Sequence, residues 1–176
     1  MNKINIPRMI AIIAAIIAIV AFFLPYISAT DDFRTYINAH ADEKVYSTVD
    51  LTIGDMADMS LFTYARVYFQ AGEEVLCSKD SGIFYGVLMS SIAGFALLIA
   101  LSALGKKPVL TLINDILMVG AFYLVNWDFL DRGIMPDSRR VWAISHSIYY
   151  PLAAVIAVCA IWMFIEKRKA KKAAGI

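Results

Sequence analysis

Four apolar runs divide this chain, and its charged residues are sorted by sign between the segments around them. The runs cover residues 7–27, 83–104, 109–127 and 146–165, and each is close to the length of about 20 residues that a helix needs to cross a bilayer. One set of segments carries nine Lys and Arg against a single acid, and the other carries thirteen Asp and Glu against seven Lys and Arg. Because short basic segments stay in the cytoplasm, the sequence predicts four spans with both termini on the cytoplasmic side.

These runs define the expected fold class, an all-α membrane protein built as a bundle of four transmembrane helices. The whole chain, 1–176, is expected to form a single membrane domain, because four spans account for its 60% apolar composition without a separate soluble core. Residues 28–82 and 128–145 form the two outer loops, and residues 166–176 form a cytoplasmic tail. The larger loop is long enough to fold into a mixed extracytoplasmic cap over the bundle.

The cap is expected to contain one amphipathic helix. Thr52 followed three residues later by Asp55 is typical of a helix start. The apolar residues beyond this pair recur at near-helical spacing, which predicts a helix over residues 53–71 that ends at Gly72. Two roles remain open for its apolar face: packing on the outer end of the bundle, or binding a partner.

Other parts of the outer loops give weaker local signals. Residues 35–37 and 44–49 are candidate short strands. In the second outer loop, Asp137 or Ser138 is predicted to cap a helix that continues into the fourth span. Pro151 removes a backbone hydrogen bond inside that span, and a kink is expected there.

Small residues recur every four positions in the second span, at Gly86, Ser90 and Gly94. This spacing lets another helix approach closely. The stripe therefore predicts close packing inside the bundle or, as the alternative, contact between two copies of the chain. The four residues from Gly105 to Pro108 can only join antiparallel neighbours, so the second and third spans are expected to form a hairpin.

Asp115 is the strongest candidate for an intramembrane polar site. It lies seven residues past Pro108, which places it roughly 10 Å from the inner end of the third span. An acid at this depth costs ~2.5–3.5 kcal/mol, and the other spans offer no basic residue at the same level. Three interpretations remain open: a neutral carboxyl that forms hydrogen bonds between helices together with Asn114, a proton or ion site, or contact with a partner protein.

Two groups of basic residues mark the membrane surfaces. Five residues on the inner face are expected to anchor the chain to acidic lipids: Lys106, Lys107, Lys167, Arg168 and Lys169. On the outer face, Arg139 and Arg140, with Arg132, are candidate contacts for lipid phosphate or for the acids of a partner. The alternative is pairing with the nearby Asp128, Asp131 and Asp137, which at an exposed position contributes only ~0–1 kcal/mol.

The sequence offers no catalytic, metal-binding or cofactor-binding motif. It contains two His residues, whereas a zinc site usually needs three or four protein ligands. Ser145 and His146 are neighbours on a helix and do not face each other, so we expect His146 to be a polar interface residue beneath Trp142. Cys77 and Cys159 lie at different levels, which argues against a disulfide within the chain but leaves Cys77 free to pair between chains. The basic residues are dispersed along the membrane surface, which argues against binding nucleic acid.

The first helix ends in Phe23-Leu24-Pro25, and one large outer loop follows. In this motif and in its overall layout, the chain resembles the small four-span membrane proteins of bacteria. The resemblance implies a location in the bacterial inner membrane. It transfers no functional residue, because those proteins have no assigned activity.

We therefore expect a non-enzymatic accessory or structural subunit that works through helix–helix and cap contacts in the bilayer. Its partners would be the lipid bilayer itself and either a larger membrane protein or further copies of the chain. One alternative is a small oligomeric transporter or channel-like protein that uses Asp115. A second alternative is a lipid-directed enzyme at the outer interface, which would need Arg139, Arg140 and His146 to converge on one pocket.

Overall fold

A computed structural model describes residues 5–135 and 137–173 of the chain. Three parts of the chain lie outside the described residues. They are residues 1–4, which include a basic residue of the inner face, Lys3; Pro136 of the second outer loop; and residues 174–176 of the tail. The described chain is 74% helical, with six α-helices, one short 3-10 helix and a small three-stranded sheet. The sheet and two of the helices form the cap, and the other four helices form the bundle.

The bundle helices differ in length. Three of them are long and apolar enough to cross a membrane. The bundle consists of α1 (Ile6–Ala21), α4 (Lys79–Leu104), α5 (Pro108–Asp131) and α6 (Ile144–Ala173). With 16 residues, α1 is about 24 Å long at 1.5 Å per residue, which is shorter than the roughly 30 Å of bilayer hydrocarbon.

The predicted first span, residues 7–27, is wrong at its outer end. The helix stops at Ala21, the chain makes two tight turns, and Pro25 begins a β-strand. The apolar residues Tyr26 and Ile27 do not continue the helix, because their backbone groups form hydrogen bonds with two neighbouring strands. Burial of this segment in the cap thus accounts for its apolar composition as well as a membrane span would.

Alternating small and large side chains determine how α1 packs. Its buried face consists almost entirely of alanines, and it lies against α4 and α6: Ala11, Ala14, Ala15, Ala18 and Ala21. The isoleucines at positions 13, 16 and 17 are exposed on the opposite face. Small residues allow close approach of helices where no hydrophobic effect drives them together. The α4–α5 hairpin predicted from the short Gly105–Pro108 turn is present.

The cap is built on a sheet that sequence analysis did not find. Strand β1 (Pro25–Ala29) lies between β2 (Asp58–Ser60) and β3 (Arg140–Trp142), and both pairings are antiparallel. The strand predicted at residues 35–37 is wrong, because this segment lies in α2 (Asp31–Ala39), whose two acidic residues at its start favour a helix. Residues 44–49 form no strand either; Lys44 makes only an isolated bridge to Thr52.

The amphipathic helix of the cap is present, but it begins later than predicted and continues past its predicted end. Thr52 and Asp55 form the expected reciprocal hydrogen bonds, yet they start only a 3-10 helix, Gly54–Ala57. The long helix is α3 (Leu61–Leu76), which begins where the Ser60 hydroxyl accepts a hydrogen bond from the Thr63 N–H.

The end of α3 also differs from the prediction. The helix is kinked at the predicted end, where Ala71 has non-helical backbone angles. A further helical stretch follows and ends at Cys77, which is in the left-handed conformation. The helix predicted from Asp137 or Ser138 into the fourth span is likewise wrong, because β3 occupies that segment and α6 begins at Ile144. Pro151 lies within the helix, as expected.

A close helix contact joins α3 to α4 through two glycines. A Cβ atom added to Gly82 would lie 2.5 Å from both the Gly72 Cα and the Tyr68 carbonyl oxygen. Gly86, from the predicted small-residue stripe, packs against the Phe69 ring. Gly94 is exposed, and nothing lies within 4 Å of its Cβ position. Packing inside the bundle is therefore confirmed for Gly86, whereas Gly94 takes no part in it among the described residues.

An ion pair joins the start of the cap to its sheet. The Arg34 guanidinium on α2 donates a hydrogen bond of 2.7 Å to Asp58 at the start of β2, and the Ser28 hydroxyl of β1 donates to the same carboxylate oxygen at 2.6 Å. The hydrogen bond from Arg34 lowers the pKa of Asp58 below its ordinary value. This network links three cap elements that are distant in sequence.

Gly82→Ala should destabilise the protein by about 1–3 kcal/mol, because the added methyl meets backbone atoms that cannot move aside. Gly94→Ala on the same helix is the matched control, and there the methyl enters open space. Thermal unfolding in detergent measures both variants. Equal melting temperatures for the two would contradict the close α3–α4 contact.

Asp58→Asn should remove the part of the cap's stability that is lost when the pH is lowered. Because the folded pKa of Asp58 is lowered, the stabilisation is present above the unfolded value of about 4 and is lost as the pH falls through the folded value. Solvent screens this half-exposed pair, so we expect a melting-temperature change of only about 1–3 °C between neutral and acid pH. Melting curves from pH 6 to pH 3 should show a smaller decline for Asp58→Asn than for the original chain; parallel declines would contradict this.

Candidate functional site: the cap cavity

A cavity of about 450 Å³ lies inside the cap, between α3, the preceding loop and the segment that follows α5. Its walls are mainly aliphatic and methionine side chains: Leu51, Met56, Met59, Val67, Val75 and Leu76. Three tyrosines and two arginines interrupt this apolar lining. An apolar space with a few convergent polar groups is the usual form of a ligand site.

Each arginine of the cavity is tied to a tyrosine of α3. Arg140, at the start of β3, donates a hydrogen bond of 3.1 Å to the Tyr64 hydroxyl oxygen. Arg132, just after α5, donates one of 2.6 Å to the Tyr68 hydroxyl oxygen. Tyr64 and Tyr68 are one helical turn apart, which places both hydroxyls on the same face.

The two arginines differ in how their charge is balanced. Arg132 forms an ion pair with the buried Asp128, and its guanidinium lies 4.9 Å from the centre of the Tyr85 ring. Arg140 has no carboxylate within 4 Å among the described residues. Asp137 also lines the cavity, but its carboxylate accepts hydrogen bonds from the Ser138 hydroxyl and from the backbone of Arg139. Arg140 is therefore the guanidinium with charge available for a ligand.

The tyrosine hydroxyls of this cavity are donors at neutral pH. Burial raises the pKa of Tyr64 to about 12, and it also raises the pKa values of Tyr68 and Tyr46. The Tyr64 and Tyr68 oxygens accept from the arginines, and neither hydroxyl donates to another described residue. The cavity thus presents two hydroxyl donors beside a guanidinium, an arrangement that favours a ligand with acceptor oxygens on an apolar body.

The predicted outer-face pair, Arg139 and Arg140, divides between two surfaces. Both guanidinium groups lie about 6 Å from the Phe33 ring centre, at 5.8 and 5.9 Å. Arg140 reaches into the cap cavity, whereas Arg139 is exposed and lines a separate groove beside Phe33 and Tyr36. Of the predicted pairing with nearby acids, the structure forms the ion pair between Arg132 and Asp128. Arg139 and Arg140 reach Asp137 only through their backbone N–H groups.

His146 lies where the sequence placed it, beneath Trp142. Its ring stacks on Trp142 with centroids 4.2 Å apart, and it also contacts Tyr26 and Phe122. The hydroxyl of Ser145 is buried and has no hydrogen-bond partner among the described residues. Among the described residues, Arg140 lines the cap cavity and Arg139 the groove beside Phe33, and His146 lines neither.

A buried polar chain joins the cap to the bundle at this level. The Tyr26 hydroxyl donates to the Asn126 side-chain oxygen, and the Asn126 amide donates to the Tyr150 hydroxyl at 3.1 Å. The pairing of Tyr26 with Asn126 depends on β1, which no local pattern in the sequence revealed.

Asp115 and Asn114 are both buried in the bundle, at 3% and 6% exposure. The Oδ1 atom of Asp115 has no hydrogen-bond partner among the described residues. One helical turn nearer the start of α5, Thr111 shares a hydrogen bond of 3.0 Å with Ser102 of α4. This hydrogen bond joins α4 and α5 close to Asp115.

The predicted inner-face anchors lie together at one end of the bundle, called here the basic end. Lys106 and Lys107 form the α4–α5 turn, with Lys106 in the left-handed conformation. Lys167, Arg168 and Lys169 are exposed near the end of α6.

Sequence reasoning missed Tyr64, Tyr68 and the role of Arg132 in the cavity. The i, i+4 spacing of the tyrosines was an available signal, because it predicts a shared helix face. The approach of the two arginines to that face was not available, since both belong to segments more than sixty residues further along the chain.

Comparison with known proteins finds no family, no curated protein and no solved structure that matches this chain. The class that the fold defines is a helical protein with three helices able to cross a membrane and a small sheet.

Proposed function

We propose that the chain is a multi-pass protein of a bacterial inner membrane, with four spans and both termini in the cytoplasm. The sign-sorted charges support this orientation. Helix α1 packs along α4 and α6 as a member of the bundle. This packing supports counting α1 as a span in addition to the three longer helices. A bilayer can thin locally around a short hydrophobic helix at modest cost, so 16 residues remain compatible with a span.

In that membrane the protein works as a non-enzymatic accessory subunit whose cap binds a larger membrane protein. The observation that carries this proposal is the cap cavity, in which Arg140 and the hydroxyls of Tyr64 and Tyr68 converge among apolar walls. An acidic side chain flanked by apolar residues on the partner matches these donors and walls. Tyrosine and arginine are also the residue types that most often dominate binding energy at protein interfaces.

The attachment of the cap to the helices supports an accessory role. The Phe62 N–H donates to the Phe22 carbonyl at 3.1 Å, and the Ala143 N–H donates to the Tyr26 carbonyl at 2.9 Å. These bonds hold the cap at a fixed position at the outer ends of α1 and α6. A partner bound in the cavity is thereby placed directly above the exposed apolar faces of the bundle.

Site-specific photo-cross-linking in the membrane tests this function. With the photoreactive group at Tyr46, on the cavity wall, we expect a link to one larger membrane protein identified by mass spectrometry. Arg140→Gln should lower the yield of that link about tenfold or more, as loss of an interface hot spot does. Arg139→Gln is the matched control, because it removes a neighbouring guanidinium outside the cavity.

Two outcomes would contradict the accessory function. In one, the two arginine variants lower the yield equally, which would mean that the cavity is not the contact. In the other, the chain links only to copies of itself, which would favour a homo-oligomer.

A second candidate function is an oligomeric transporter or channel-like protein that uses Asp115. The specific observation in its favour is the buried carboxylate oxygen without a hydrogen-bond partner among the described residues. Against it, Asp115 is enclosed by the helices of its own chain, so a pathway would have to open between them.

Asp115→Asn distinguishes these functions. If the carboxyl is neutral and structural, an amide of the same size should change the melting temperature by only about 2–4 °C and leave the Tyr46 cross-link unchanged. Asp128→Asn on the same helix is the reference for losing a charged, paired acid, and it should destabilise clearly more. If Asp115→Asn abolished proton flux in liposomes while the protein stayed folded, the transporter function would replace the accessory function.

A further inference from the structure

A second groove lies at the basic end of the bundle, between the first turns of α5 and the last turns of α6. Its volume is about 460 Å³, and its walls are almost wholly apolar. Leu110 and Ile113 of α5 form one side and Phe164 of α6 the other, and all three side chains are exposed on the outside of the bundle. Such a surface faces acyl chains when the helices lie in a bilayer.

Four cations surround the mouth of this groove, namely Lys107, Lys167, Arg168 and Lys171. The Arg168 guanidinium lies 5.3 Å from the centre of the Phe164 ring, one helical turn away. That contact holds a positive charge over the point where the apolar wall begins. Lys167 and Lys171 are also one turn apart, so their ammonium groups extend from the same face of α6.

The one acid near this end belongs to the neighbouring groove. Glu166 accepts a hydrogen bond of 3.0 Å from the Asn5 side chain, and it lines a groove on the α1 side together with Arg8 and Lys106. No carboxylate lines the groove between α5 and α6 in the described chain. Lys167 also lines that neighbouring groove, but none of the four cations forms an ion pair among the described residues. They repel one another, and an anion between them would relieve that repulsion.

We propose that this groove binds one anionic phospholipid from the leaflet next to the basic end. The phosphate lies between Lys107, Lys167, Arg168 and Lys171, and one acyl chain follows Leu110, Ile113 and Phe164. A cationic mouth above an apolar channel matches the charge and polarity of such a lipid, and basic pockets between transmembrane helices bind lipid headgroups in this way. The site is independent of the cap and of the proposed accessory function.

Native mass spectrometry of the full-length protein in detergent tests the site by counting bound phosphatidylglycerol. Lys167→Gln with Lys171→Gln should weaken the first bound lipid about tenfold or more. Lys169→Gln with Lys172→Gln is the matched control: it removes the same charge from the same helix, but neither residue lines the groove. We expect the control to retain that lipid with less than about a twofold change.

Two further experiments distinguish a lipid bound in the groove from nonspecific electrostatic attraction of anions. Phosphatidylcholine and inorganic phosphate, at the same concentration, should not occupy the site, because the first lacks net charge and the second lacks an acyl chain. Ile113→Trp should obstruct the channel and lower phosphatidylglycerol binding without changing any charge. Equal losses in both lysine double variants, or undiminished binding by Ile113→Trp, would overturn the proposal.

Discussion

The cap and its cavity depend on the pairing of one five-residue strand. β1 follows α1 after a short turn and is buried: Tyr26 is 0% exposed and Ile27 is 1% exposed. Buried backbone N–H and C=O groups must form hydrogen bonds, because each group left unpaired costs on the order of several kcal/mol. β1 meets this requirement on both edges, through β2 and β3. That pairing brings Arg140 and the start of α3 to the same side of the molecule, where the cavity forms.

The parts of the fold that the sequence predicted well are those with long, local signals. Helices α4, α5 and α6 follow from apolar runs of membrane length, and the α4–α5 hairpin follows from a four-residue turn. The strands Asp58–Ser60 and Arg140–Trp142 have three residues each and no alternating pattern, so only their pairing with β1 makes them strands. Thr52 and Asp55 show the same limit, because their hydrogen bonds formed as expected but the helix after them did not continue.

The candidate sites divide in the same way. Asp115 was singled out by its position along one helix, and the structure buries it in the bundle. Arg140 was singled out by the charge pattern, and it lines the cap cavity. The predicted stripe included Gly86, which packs against Phe69, but it did not include Gly82, because a stripe along α4 cannot reveal which helix lies opposite. Gly82 meets Gly72 only because the chain reverses at Cys77, whose left-handed conformation no residue preference predicts.

The distribution of packing explains why the two ends of the molecule should use different partners. One continuous hydrophobic core runs from Leu51 in the cap down to Met118 and Ile156 in the bundle. Beyond Asp115, toward the basic end, the buried apolar side chains form a separate cluster of small residues with Met163 as its largest member. A ligand in the cap cavity therefore contacts side chains that belong to the main core, and its binding energy stabilises the cap and outer bundle together. At the basic end few large side chains are buried, and the four cations of the groove form no ion pair among the described residues. A lipid bound there would supply both apolar contact and counter-charge.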